Sequence, residues 1–211
     1  MKTLICASND NKVLYDFFQT GVYDKKREFI LTSSPSMDIL ISSNLERLIY
    51  LSTGCDAEAN RRLMEQLNTQ GSYEVTEAMK EAMKDFTGGF ATEAENAAEI
   101  KKVYEDTGYV IDTHTGVASA VYRAYAEKTG DKTPTVIAST ASPYKFSHSV
   151  MEAIRGDEGS RDEFAIIDEL CAVSGVEIPA AVEEIRNAEI RHKRESDVAD
   201  MENTVAEILG L

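Results

Sequence analysis

The sequence predicts an α/β fold: a three-layer lobe with a short, mostly parallel sheet and many helices. Three observations carry this prediction. Thr3–Ala7 is a short apolar run without alternation, the pattern of a strand buried on both faces. A polar turn, Asn9-Asp10-Asn11, follows it, and then Val13, Leu14, Phe17 and Phe18 recur at helical spacing until Gly21 stops the run. Thr135–Ser139 (TVIAS) repeats the non-alternating pattern far downstream, with helical stretches in between.

Taken in order, the first unit is strand, turn and helix. Phe29–Ile41 contains Pro35 and many hydroxyls and has no period, so it reads as an ordered loop. Ser43-x-x-Glu46 has the form of a capping box, which predicts a helix through about Ser52. Asn60–Asn68 and Tyr73–Phe86 read as two more helices, and Gly88-Gly89 as a break after them. Thr92-x-x-Glu95 is a second capping box, with Ala97, Ile100, Val103 and Tyr104 on one face and Gly108 as the stop. Tyr109–Ile111 reads as a short strand, Val117–Lys128 as a helix, and Thr135–Ser139 as a buried strand. After Pro143, the Ser147 hydroxyl can cap a helix ending at Gly156. Asp162–Ser174, Pro179–Glu195 and Ser196–Leu209 read as helices, the last with a stripe of Val198, Met201, Val205, Ile208 and Leu209. This organisation gives residues 1–156 as an α/β core and residues 157–211 as a helical extension packed on the same lobe.

Composition excludes several function classes. Lys and Arg number 22 against 37 Asp and Glu, a formal charge of −15. Nucleic acid needs a concentrated basic face, and an anionic membrane repels such a chain, so neither is expected as a partner. No run of about 20 apolar residues exists to span a bilayer. The start, Met1-Lys2-Thr3-Leu4-Ile5, turns polar too soon for a signal peptide. Cys6, Cys55 and Cys171 are odd in number and widely separated, as expected of reduced thiols in the cytoplasm. His114, His148 and His192 lack zinc-ligand spacing, and no metal is expected.

Four blocks carry a resemblance: LICASNDN at Leu4–Asn11, SPSMDILISSNLER at Ser34–Arg47, IDTHTGVA at Ile111–Ala118 and STASPYKF at Ser139–Phe146. In this order they resemble the second half of threonine synthases, pyridoxal-phosphate enzymes of the tryptophan synthase beta-like fold. The resemblance spans Leu4 to about Gly156, and the acidic tail is similar more loosely. It implies conversion of O-phospho-L-homoserine and water to L-threonine and phosphate. It also implies that the Schiff-base lysine and the phosphate-binding loop precede the segment resembling Leu4–Asn11. No catalytic residue is therefore expected in this chain, which resembles a C-terminal portion, inactive alone and without bound pyridoxal phosphate. Self-association of such a portion through its cleft face is expected.

Thr140 follows a predicted parallel strand, where ligands of open α/β sheets collect. The resemblance implies that its hydroxyl lies by the pyridine nitrogen of the cofactor, with Ser139 a neighbour in the same role and Ser142 a third candidate. Lys145 supplies a cation suited to the phosphate of the implied substrate. Asn9 and Asn11 lie in the turn after the first strand and are implied substrate-side residues. His114 is another, in a loop where Thr113 stands for the family's Pro and Gly116 for its Ala. Ser36, Asp38, Asn44, Glu46 and Arg47 belong to the most distinctive block without an assigned chemical role. Two rivals stand: a threonine-synthase-like phospho-lyase making 2-oxobutyrate, and a non-catalytic remnant or interaction module.

Overall fold

The computed structural model describes residues 2–156 and 162–211. Two compact units divide it, Met1–Glu177 and Ile178–Leu211. The first is a mixed α/β unit around a short parallel sheet.

Strand β1 (Leu4–Ser8) leads into helix α1 (Val13–Thr20) and strand β2 (Val22–Asp24). Gly21 joins them at φ 78°, a left-handed conformation that costs glycine little, and its N–H closes on Phe17 O. A long loop with one 3₁₀ turn at Pro35–Met37 follows, as the hydroxyl-rich sequence leads one to expect. Helices α2 (Leu45–Ser52) and α3 (Ala57–Gln70) then lead to strand β3 (Ser72–Glu74), helix α4 (Glu77–Ala82) and strand β4 (Phe86–Phe90). Helices α5 (Glu93–Thr107), α6 (Thr113–Thr129), α7 (Ser147–Arg155) and α8 (Glu163–Ser174) complete the unit. The second unit holds α9 (Ala180–Arg186) and, after a 3₁₀ turn at Val198–Asp200, α10 (Met201–Leu209).

β1 and β4 pair in parallel, from Leu4 opposite Phe86 to Ser8 opposite Phe90. β2 and β3 form a separate antiparallel ladder in which Tyr23 faces Tyr73, their rings stacked 5.4 Å apart. Strand side chains alternate between faces, and β4 uses this twice without side chains. A Cβ on Gly88 would stand 2.9 Å from Tyr15 Cα on α1, and one on Gly89 would stand 2.4 Å from Val121 Cγ1 on α6. α1 and α6 therefore press on opposite faces of the strand, giving helix, sheet and helix. The α1 side joins Val13, Phe17, Tyr23, Ile49, Tyr73 and Met79 in one core. The α6 side joins Ala91, Val117 and Val121, with Ile5 and Ala7 packed against them.

Several expectations are corrected. Gly88-Gly89 does not break the chain but forms the middle of β4, because close helix approach excludes side chains there. Tyr73–Phe86 is not one helix but β3, α4 and the start of β4. Tyr109–Ile111 is not a strand, although Val110 and Ile111 are buried. Thr135–Ser139 is not a buried strand, and Val136 is 95 % exposed. No strand pairs with it among the described residues, and an apolar run without a ladder partner has no sheet to enter. The Ser43 box does not form: α2 is preceded by Asn44 in helical conformation without a side-chain cap, and Glu46 accepts instead from Asn60 Nδ2 at 3.0 Å. Ser147 opens α7 without capping it, and its hydroxyl faces Glu163 at 3.4 Å. The Pro179–Glu195 helix ends early, at Arg186. The Thr92 box forms in full: Glu95 N–H donates to Thr92 Oγ1 at 3.3 Å and Thr92 N–H to Glu95 Oε2 at 2.8 Å. That backbone donor holds the Glu95 carboxyl below its ordinary range.

Gly89→Ala tests the layering. Its methyl would meet Val121 well inside van der Waals contact, so a loss of about 1–3 kcal/mol is expected on overpacking grounds. Urea unfolding of Gly89→Ala alone and combined with Val121→Ala measures it, the smaller partner side chain recovering part of the loss.

Candidate functional site

The site grows from two acceptors, one half-buried and one buried. The first is Asp38, in the loop between β2 and α2. Its Oδ1 accepts from Asn9 Nδ2 at 2.7 Å, Asn11 Nδ2 at 3.0 Å and Thr32 Oγ1 at 2.6 Å, and its Oδ2 from Thr32 N–H at 3.0 Å. Asn9 follows the last residue of β1 and is fully buried. Its Oδ1 accepts the N–H of Asn11 at 2.9 Å, a side-chain turn that aims both amides into the loop. Asn9 Nδ2 also reaches Ser34 Oγ at 3.0 Å, while Asn11 clasps Ile30 through both its N–H and its carbonyl, at 2.9 and 2.7 Å. Asn9 and Asn11 thus fix the loop to the strand end.

The second acceptor is Asp112, the N-cap of α6. Its Oδ1 accepts the N–H groups of His114 and Thr115 at 2.9 and 3.4 Å. The same oxygen lies 3.2 Å from His114 Nδ1, and its Oδ2 accepts from the Thr115 hydroxyl. Thr115 Oγ1 in turn lies 2.9 Å from Ser139 Oγ. His114 Nε2 accepts the N–H of Ser36 at 3.2 Å, and its ring lies 4.8 Å from that of Phe146. α5 adds a third tie: Glu93 Oε2 accepts Ser33 N–H at 2.8 Å, and Glu93 N–H donates to Asp10 Oδ2 at 3.1 Å.

These bonds join four separated stretches of sequence. Leu4–Asn11 meets Ser34–Arg47 through Asn9, Asn11 and Asp38. Ser34–Arg47 meets Ile111–Ala118 through Ser36 and His114. Ile111–Ala118 meets Ser139–Phe146 through Thr115 with Ser139 and His114 with Phe146. Thr140 and Lys145 lie on the same stretch as Ser139 and are exposed. Lys145 Nζ lies 5.4 Å over the Phe146 ring and makes no ion pair among the described residues. Ser142 caps the 3₁₀ turn Pro143–Phe146, its hydroxyl accepting from Tyr144 N–H at 3.3 Å. Asn44 and Arg47 stand apart at the start of α2, where neither joins this network. Sequence reasoning missed Asp112, Thr115 and Thr32. An Asp two residues before a His and three before a Thr, at a helix start, is the signal that could have found the first two.

Gly116 has a local reason. A Cβ there would stand 2.3 Å from Asn96 Oδ1 and 2.8 Å from Ile100 Cγ1, so α5 and α6 close on each other where the side chain is missing. The thiols are free, and burial pushes that of Cys6 up to about 11. No cluster of three metal-binding side chains occurs among the described residues. Among them, no helix is long and apolar enough to cross a membrane.

The family described as "Threonine synthase, C-terminal" matches residues 115–208. Human "Threonine synthase-like 1" is 40 % identical over 158 residues, covering 74 % of this chain and 21 % of that protein. The threonine synthase of Saccharomyces cerevisiae is 36 % identical over 171 residues, covering 74 % of this chain and 33 % of its own length. Among solved structures, pyridoxal-phosphate-bound threonine synthase from Brucella melitensis superposes with a TM-score of 0.68 at 36 % identity, over 84 % of this chain and 36 % of that one. Yeast threonine synthase superposes with a TM-score of 0.77 at 29 % identity, over 99 % of this chain and 42 % of that one. This chain belongs with the threonine synthase-like proteins and corresponds to their C-terminal portion. It has the tryptophan synthase beta-like fold of pyridoxal-phosphate enzymes. It spans at most about a third of the length of these curated relatives.

Asp38→Ala tests the first acceptor. It strands donors of Asn9, Asn11 and Thr32 together, so a loss of about 2 kcal/mol or more is expected, with Asp38→Asn losing less because one oxygen remains. Chemical denaturation of the two variants decides the order, and equal stability of Asp38→Ala and wild type would remove Asp38 as a hub.

Proposed function

We propose that this chain forms one wall of the active site of a longer threonine synthase, which converts O-phospho-L-homoserine and water to L-threonine and phosphate. The observation that supports this reading is the convergence of the four family-like blocks through Asp38, Asp112, His114 and Thr115. Pyridoxal phosphate, when bound, supplies the electron sink that acidifies the substrate carbons.

The residues present suit that group. Thr140 offers an exposed neutral hydroxyl, fit to hydrogen-bond a pyridine nitrogen without an ion pair. Ser139, beside it, is held by Thr115, so the stretch carrying Thr140 starts from a fixed point. Lys145, exposed and without an ion pair among the described residues, presents a cation to a phosphate dianion. Asn9, Asn11 and His114 frame the substrate side from behind, and their polar atoms are ordered before any ligand arrives. The exposed run Thr135–Ser139 favours its pairing with further strands of the longer protein, which would cover Val136. On this reading the resemblance places the cofactor lysine in another part of the longer protein, and the 211-residue chain by itself carries no activity. Three free thiols favour a reducing compartment, the cytoplasm.

A second reading keeps the same fold and site and changes the reaction: a threonine-synthase-like phospho-lyase that releases 2-oxobutyrate. Product analysis of the full-length protein with O-phospho-L-homoserine separates the two, threonine supporting the first and 2-oxobutyrate the second.

Two further outcomes are expected. Incubating the 211-residue chain with pyridoxal phosphate, then borohydride and peptide mapping, should give no stoichiometrically modified lysine; one that appears refutes the assignment of that lysine to another part of the protein. In the full-length protein, Thr140→Val should lower turnover by about fivefold with cofactor still bound, the scale of one lost hydrogen bond of about 1 kcal/mol. Unchanged turnover would leave Thr140 without a role at the ring.

A further inference from the structure

We infer that His114 is a positioning residue, held in one neutral tautomer, whose task is to pin the Ser34–Asp38 loop to the start of α6. The argument starts from a backbone N–H, which can only donate. Ser36 N–H points at His114 Nε2 at 3.2 Å, so Nε2 carries no proton when the contact is made. The ring proton then resides on Nδ1, which faces Asp112 Oδ1 at 3.2 Å and donates to it. Both ring nitrogens are thereby used, one on each side of the clasp. The ring itself is 7 % exposed and packs on Phe146, so it has little room to turn.

The clasp spans 78 residues of sequence and is the direct side-chain tie between Ser36 and α6. Asp38, two residues on, holds Asn9 and Asn11, so a loop released at Ser36 would loosen the support of the strand end as well. His114 therefore acts through the loop rather than on a ligand: its acceptor nitrogen is committed to Ser36 and its donor nitrogen to Asp112. The inference deepens the proposed function only in naming what the loop walls; the clasp itself is independent of that reading.

The test uses the 211-residue chain, with no cofactor. Long-range ¹H–¹⁵N NMR of the wild-type His114 ring should give a pyridine-type Nε2 and a pyrrole-type Nδ1 at neutral pH. An Nε2–H tautomer, or an average of the two, overturns the inference whatever the enzyme does. Amide hydrogen exchange gives the second measurement. In His114→Asn, whose side chain is too short to reach Ser36, the Ser36 amide should exchange roughly tenfold faster, the scale of about 1.4 kcal/mol in opening. In His114→Gln, whose carbonyl oxygen sits near the place of Nε2, most of that protection should return. Unchanged Ser36 exchange in a folded His114→Asn chain, or no recovery in folded His114→Gln, also overturns it. Should His114→Asn fail to fold, the wild-type tautomer decides alone. Threonine formation by the full-length protein plays no part in these readouts, so failure of the proposed activity and failure of the clasp remain distinguishable.

Discussion

The site depends on the carboxylate of Asp112. It is 1 % exposed and collects two backbone N–H groups, the Thr115 hydroxyl and the His114 ring. A buried carboxylate is costly unless each oxygen is satisfied, and here the start of α6 supplies the donors. The cap thus does more than begin a helix. By fixing Thr115 it fixes Ser139, and by fixing the His114 ring it fixes Ser36. Two chain segments far apart in sequence are referred to one helix terminus, and neither contact survives a rotation of that terminus.

The thin sheet makes this precision necessary. β1 and β4 are the parallel pair, and only five residues of each are in register. So short a ladder gains its position from what lies on its faces. α1 and α6 approach β4 closely enough that Gly88 and Gly89 admit no side chain. α6 therefore both covers the sheet through Val117 and Val121 and carries Asp112 at its start. The packing that sets the distance of α6 from β4 also sets the place of the site residues relative to Asn9 at the end of β1.

Local chemistry was legible in the sequence where the partners lie within a few residues. The Thr92 box is such a case: its two bonds are both made within one turn. The Ser43 box has the same spacing but fails, because Glu46 finds Asn60 across the α2–α3 pair instead, a partner outside the local pattern. Gly88-Gly89 misled for the same reason: a glycine pair marks a break unless neighbouring helices need the space, and those helices lie far away in sequence. Thr135–Ser139 shows the opposite failure. Its composition suits a buried strand, but burial needs partner strands, and none pairs with it among the described residues. The four family-like blocks were legible as blocks. Their meeting was not, because it runs through Asp112, Thr115 and Thr32, ordinary residues whose role exists only once α6 and the loop are brought together.

The site residues divide by whether their polar atoms are already used. Asn9, Asn11 and His114 are buried, and each is hydrogen-bonded on both its donor and acceptor sides within the chain. Thr140 and Lys145 are exposed, and no hydrogen bond or ion pair occupies their side chains among the described residues. The first group cannot gain from a ligand without giving up an internal bond, so its free-energy contribution is the order it imposes in advance. The second group has no internal hydrogen bond or ion pair to give up among the described residues, Lys145 only its place over the Phe146 ring. Between them stands Ser139, whose hydroxyl is tied to Thr115 and whose next residue is free. On the proposed function, a wall built this way keeps its frame rigid while leaving its contact atoms unspent. Among the described residues, the boundary between the bonded frame and the unbonded Thr140 hydroxyl falls at the peptide joining Ser139 to Thr140.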